Sequence, residues 1–309
     1  MTELYSELLL AEFKKKLEVE CVFEGLSVFC TGSFARGEAH RNSDIDLFVI
    51  SNSPHANPKT QKYKVFAKLI DVLSELGLPP FSDDCKYLNI ICSNDIASEL
   101  GGPNDDHKNY FTARMLLLLE SHCIIGKPIY DEVVKSVVGS YYSDFDSYKE
   151  DFKPIFLLND IKRYWRTLLL NYEHRRAISE SSGKIKNFKL KYSRLLTCFA
   201  TIAYISSMTT PVSVDDVVAL VCLTPKQRLL SVKDRMPKTA SLVTEVLELY
   251  DEFLKLMESD KECLINTFSD EVTYSSLFSR AKIFGDKVYE LLKCIDSESE
   301  SEVLRYLVV

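Results

Sequence analysis

No stretch of eighteen or more uncharged apolar residues occurs in the 309-residue chain. Oily runs such as "MLLLLE" after Arg114 have the length of a buried helix segment and not of a membrane span. Chelating cysteine patterns are missing too: nine cysteines, an odd number, lie far apart with no CxxC pair. Neither a zinc site nor dithiol chemistry is expected, and the thiols read as reduced and mostly buried. Five histidines show neither HxxxH nor HExxH spacing, which argues against a histidine metal centre. No GxSxG step is present. The opening segment, "MTELYSELLLAEFKKKLEVE", lacks the basic start, apolar middle and small-residue cleavage site of a secretory signal, so the chain is expected to be soluble and cytoplasmic, with no membrane partner. A net charge of −7 argues against nonspecific coating of nucleic acid, while leaving room for one local basic patch.

What is present divides into two halves. In the first, Tyr5 to Leu17 reads as a helix, Leu26 to Thr31 and Ile45 to Ile50 as buried strands, and "KYLNIIC" as a third strand. Between the last two, Tyr63, Phe66, Ile70, Leu73 and Leu76 recur at helical spacing until Gly77. A further helix is expected from Asn109 through "FTARMLLLLESH". Beyond Pro128 no segment reads as a strand. Asp144 to Arg176, Lys186 to Ser207, Pro237 to Glu258 and Val272 to Cys294 all carry helical periodicity. The expectation is an α/β domain over residues 1–140, with a small mixed sheet, followed by an all-α helical bundle over 141–309.

The chemistry concentrates in "CTGSFARGEAHRNSDIDLFVIS", residues 30–51. A strand that ends in Gly-Ser and turns into a short helix offers unpaired N–H groups, and Gly32 has no side chain to keep a phosphate from the main chain. Ser33 adds a hydroxyl, and Arg36, three residues on, projects to the same side of a helical turn. Asp44 and Asp46 sit at a strand mouth, where alternation sends both carboxylates to one face. Two such groups repel unless a cation lies between them, and a hard oxygen-lined site suits Mg²⁺, which completes its shell with water and substrate phosphates.

This run resembles the signature of the DNA polymerase beta-like nucleotidyltransferase superfamily: Gly-Ser, a spacer of about ten residues, then Asp-x-Asp on a strand. Arg36 and Gly37 after the Gly-Ser step and Ser43 before the first aspartate are part of the match. The resemblance implies a polymerase-beta-like fold in which Asp44 and Asp46 hold two Mg²⁺ ions, Gly32 and Ser33 hold the triphosphate of an NTP such as ATP, and Arg36 and Ser43 assist. The whole-chain layout is similar to stand-alone two-domain bacterial nucleotidyltransferases, some of them suspected toxins with an antitoxin partner or phage-defence components.

The superfamily usually adds a third acid on the next strand, flanked by hydrophobic residues. In "DDCKYLNIICSND" that position holds Asn89, a neutral and weaker Mg²⁺ ligand. Asp84 is the preferred substitute, with Asp83 and Asp95 as alternatives. If none serves, the fold binds nucleotide or a partner without turnover.

In the second half, Arg163 and Arg166 share a helical face. Lys184, Asn187, Lys191 and Arg194 form a stripe with Lys186 and Lys189 beside it, and the run from Lys184 to Arg194 contains five basic residues and no acid. Lys184 and Lys191 are assigned to the nucleotide, and Arg163, Arg166, Lys189 and Arg194 to an acceptor phosphate, with an RNA 3′ end, tRNA in particular, as the expected acceptor. A protein side chain or a small hydroxylated antibiotic would not need this stripe. Arg114 is either a structural tie to Asp105 or Asp106 or a triphosphate contact, and Trp165 is read as a core anchor.

Overall fold

The computed structural model describes residues 2–19, 21–41, 43–52, 58–81, 85, 88–176, 180–299 and 302–308. The chain forms two compact units, residues 1–143 with 214–224 and residues 144–213 with 225–309.

The first unit runs α1 (Thr2–Glu18), β1 (Leu26–Thr31), β2 (Asp46–Ser51), α2 (Lys59–Glu75), β3 (Ile90–Cys92), α3 (Ser93–Ser98), α4 (Pro103–His107), α5 (Tyr110–Leu119), β4 (Ser121–Ile125) and α6 (Lys127–Gly139). Its four-stranded sheet has the order β3-β2-β1-β4 and is mixed: β1 lies antiparallel to β2 and β4, whereas β2 and β3 are parallel. Alternation divides each strand between two faces. Leu26, Val28 and Cys30 of β1, with Leu47 and Val49 of β2, join Phe13 and Leu17 of α1 and Val65, Leu69 and Val72 of α2 in one buried core. The other face carries Phe29, Phe48 and Tyr130, with Phe29 stacked on Phe48 (centroids 5.4 Å apart) and met edge-on by Tyr130 of α6.

β4 corrects the expectation that "SH", Ser121 and His122, continues the preceding helix. The helix stops at Leu119, and Ser121–Ile125 pairs with β1. The third strand is also shorter than expected: Leu88 and Asn89 precede it.

The second unit is helical throughout its described residues. It contains α7 (Ile155–Arg176), α8 (Glu180–Lys189), a π-helical turn over Leu190–Arg194, and α9 (Leu195–Ser206). The chain then returns to the first unit as α10 (Val214–Val221), which packs on α6. A single boundary near residue 140 leaves no place for this return. The second unit is completed by α11 (Pro225–Arg235), α12 (Ala240–Met257), α13 (Lys261–Ser269), α14 (Glu271–Ser299) and α15 (Val303–Val308). Its centre is aromatic: Tyr192, in the π turn, stacks on Phe253 (4.8 Å) and Phe284 (4.6 Å), beside Phe188 and Phe268. Burial pushes the Tyr192 hydroxyl up to about 12. Trp165 of α7 meets Phe199 of α9 edge-on. No helix among the described residues is long and apolar enough to cross a membrane.

Candidate active site

β1 ends at Thr31, paired with Asp46, and the chain turns at Gly32 with φ +73°, a backbone conformation that glycine adopts without Cβ strain. A Cβ placed on Gly32 would lie 3.6 Å from Asp46 Oδ2, so the bare main chain of the turn faces the carboxylate directly. Residues 32–37 make one helical turn closed by Arg36 N–H to Gly32 C=O (3.1 Å), Gly37 N–H to Phe34 C=O (3.2 Å) and Glu38 N–H to Ser33 C=O (2.8 Å). None of these bonds uses the N–H groups of Ser33, Phe34 or Ala35, which have no partner among the described residues and stand as donors at the head of the turn.

Burial alternates from Ser43 to Leu47: Ser43, Ile45 and Leu47 are buried, Asp44 and Asp46 exposed. Both carboxylates therefore stand on one face, and Ile45 between them and Leu47 after them anchor this segment in the core. Asp44 has no ion-pair partner among the described residues. Behind the strand, burial first and the Asp46 carboxylate to a lesser degree push the Cys30 thiol well above its ordinary value. Two exposed carboxylates beside unclaimed N–H groups fit a hard divalent cation together with a phosphate. No cluster of three or more metal-ligating side chains occurs among the described residues.

Two arginines singled out from the sequence are committed elsewhere. Arg36 is buried, its Nε donating to Glu38 (2.7 Å) and its Nη1 to Glu120 at the end of α5. Two carboxylates engage it, and through Glu120 it braces the turn against the end of α5. Arg114 is fully buried. Its Nη2 donates twice to Asp105 (3.0 and 2.8 Å), Nη1 to Ile96 C=O and Nε to the Tyr141 hydroxyl, tying α5 to α3, α4 and the segment after α6. These bonds include the structural tie to Asp105 that is one of its two readings. Ser43 is buried as well, and its hydroxyl accepts from His40 N–H (3.0 Å), fastening the loop between the turn and the aspartates. Ser6 of α1 fastens the same loop by accepting from Ala39 N–H (3.1 Å).

Arg41, which the sequence reading passed over, is exposed in this loop with no ion-pair partner among the described residues. Its signal was plain in hindsight: it is the loop arginine without an acid two residues away.

Asp84 and Asp83 lie outside the described residues. Asp95, in the first turn of α3, accepts from the Tyr110 hydroxyl (2.7 Å). Asn89 is exposed, and its amide oxygen accepts from Lys62 Nζ of α2 (2.8 Å).

In the second unit, Arg163 lies 3.7 Å from Asp160, and Arg166 is exposed without an ion-pair partner among the described residues. Partial burial and the neighbouring Arg166 hold the Lys162 ammonium below its ordinary value. Lys184 pairs with Glu271, while Lys189 is exposed. The π turn breaks the α-helical phase on which the Lys184–Arg194 stripe was drawn. Arg194 is only half exposed, its Nη1 is buried, and its charge acts on the buried Cys198 thiol.

Residues 8–80 match the family model of the nucleotidyltransferase domain. The match spans α1 to the end of α2 and contains the Gly32 turn and both aspartates. No curated protein and no solved structure matches the chain. Over residues 8–80, within the unit built on the small mixed sheet, the chain is thus similar to a nucleotidyltransferase domain, which supports a transferase class and implies an NTP substrate.

Proposed function

We propose that the protein moves a nucleoside monophosphate from an NTP to an acceptor hydroxyl, with RNA ends as the acceptor. The observation that carries this reading is the approach of Gly32 to Asp46: the glycine turn lies against the exposed Asp46 carboxylate, with the exposed Asp44 two residues before it. Asp44 and Asp46 are the groups suited to hold Mg²⁺. When bound, the metal neutralises phosphate charge and lowers the pKa of an attacking hydroxyl.

The turn N–H groups and the Ser33 hydroxyl bind the triphosphate, and Arg41 takes the cationic role that Arg36 cannot fill. Arg36 and Ser43 keep the turn and loop in place. The acceptor oxygen bonds to the α-phosphorus, the bond from that phosphorus to the bridging oxygen breaks, pyrophosphate leaves, and the hydroxyl proton passes to solvent. Arg166, Lys189 and Arg163 offer cations for acceptor phosphates.

A second reading is supported by Asn89. A neutral amide engaged by Lys62 stands where a third acid is expected, which favours nucleotide binding without turnover. Incubation of α-labelled NTPs with Mg²⁺ and total RNA, beside an Asp44→Asn/Asp46→Asn variant, separates the two. Label in RNA with the parent alone supports transfer. Saturable NTP binding with no labelled product supports the silent reading.

A further inference from the structure

Lys184 Nζ sits 4.8 Å from the centroid of Tyr274, and Lys191 Nζ sits 4.7 Å from the centroid of Phe278. The two rings are one helical turn apart on α14, with centroids 5.7 Å apart. The two lysines lie seven residues apart on α8 and its π turn, about 10 Å along a helix at the usual rise. All four residues are partly exposed, the Lys184 side chain at 16%. Two helices thereby build a ladder in which each ammonium rests on an aromatic ring, with Asn187 between the lysines.

The charge of this ladder is incompletely neutralised. Lys184 pairs with Glu271, but Lys191 has the Phe278 ring and no carboxylate among the described residues. The nearby acids are engaged: Asp270 accepts from the N–H and hydroxyl of Thr273, and Glu252 pairs with Arg280. A ring face attracts a cation without cancelling its charge, so it holds the lysine in place while leaving the ammonium able to meet a phosphate. Alternating cations and π-faces suit a single strand, whose phosphates meet the lysines and whose unpaired bases have faces to stack.

We propose that Lys184, Lys191, Tyr274 and Phe278 form a binding surface for single-stranded RNA, the acceptor strand. This rests on the reading that the acceptor is RNA. Lys191 and Phe278 are its centre, and RNA competes with Glu271 for Lys184.

The test measures anisotropy of a labelled, unstructured oligoribonucleotide with the full chain over a range of salt. The proteins compared are the parent, Lys184→Gln/Lys191→Gln and Phe278→Leu, the last keeping apolar volume for the fold. The parent is expected to bind the single strand more tightly than a duplex of equal length. In the double variant the slope of log affinity against log salt should fall by about 1.4, since each phosphate contact to a single strand contributes about 0.7. Phe278→Leu should weaken binding by about five-fold or more. Mg²⁺-dependent NTP binding should be the same in the parent and in Phe278→Leu, which alters no residue assigned to the nucleotide.

Unchanged RNA affinity and slope in both variants overturns the proposal. So does a parent that binds no single strand, or one that binds a polyglutamate peptide through these residues as tightly as RNA. Transfer of label to RNA with an unchanged acceptor KM in the variants sinks this surface and spares the transfer reading. Binding that depends on the ladder without any transfer does the reverse.

Discussion

Gly32 is the residue on which the geometry of the nucleotide turn depends. Gly32→Ala places a side chain where φ is +73° and sets it 3.6 Å from Asp46 Oδ2, so the cost is left-handed backbone strain, about 1–2 kcal/mol. The variant should remain folded in urea titration, with a lower unfolding midpoint and weakened NTP binding. Arg114→Ala should act oppositely. Stripping Asp105 of its buried partner costs about 3–5 kcal/mol, read as a large fall in the urea midpoint, while the folded fraction binds NTP as the parent does. Loss of NTP affinity at unchanged stability would return Arg114 to the triphosphate. The residues legible in the sequence were those whose roles are local: Asp44 and Asp46 follow from strand alternation, and Gly32 from a turn. Arg36 was legible only in part: Glu38, one partner, lies two positions away, but Glu120, the other, lies 84 positions away. A sequence shows a cation readily and its distant partner poorly.

At the scale of elements, the same locality decides. β1, β2, α1 and α2 were readable because each carries its own period. β4 was not, since "SHCII" directly follows an oily helix and becomes a strand only by pairing with β1. The π turn is a second case: a stripe drawn at α-helical phase holds through Lys191, where the ring of Phe278 receives it, and fails at Arg194. The turn also seats Tyr192 between Phe253 and Phe284. Tyr192→Ala should cost about 3–5 kcal/mol, as large aromatic truncations do, and leave NTP binding intact, a split that thermal melts with and without nucleotide will read.

For the whole molecule, the two-part plan, mixed sheet then helices, was visible from where strand patterns cease. The return of 214–224 to the first unit was not, because it depends on packing against α6 and not on any feature of those residues alone. Thiol reactivity gives a molecule-wide check. Cys30 and Cys198 are buried, and burial pushes both thiols upward, Cys198 to about 12, whereas Cys222 and Cys263 are exposed. A raised pKa leaves the neutral, unreactive thiol at pH 8. Alkylation of the folded protein at that pH, mapped by mass spectrometry, should mark Cys222 and Cys263 and reach Cys30 and Cys198 only after denaturation.

The central claim is that Asp44 and Asp46 serve an NMP transfer, and pyrophosphate release tests it most directly. With NTP, RNA and Mg²⁺, the parent should release pyrophosphate in step with label entering RNA. Release should stop with chelator, and Asp46→Asn should slow it by orders of magnitude while the protein stays folded. Equal release by parent and Asp46→Asn, or none from the parent with any NTP, would contradict the account.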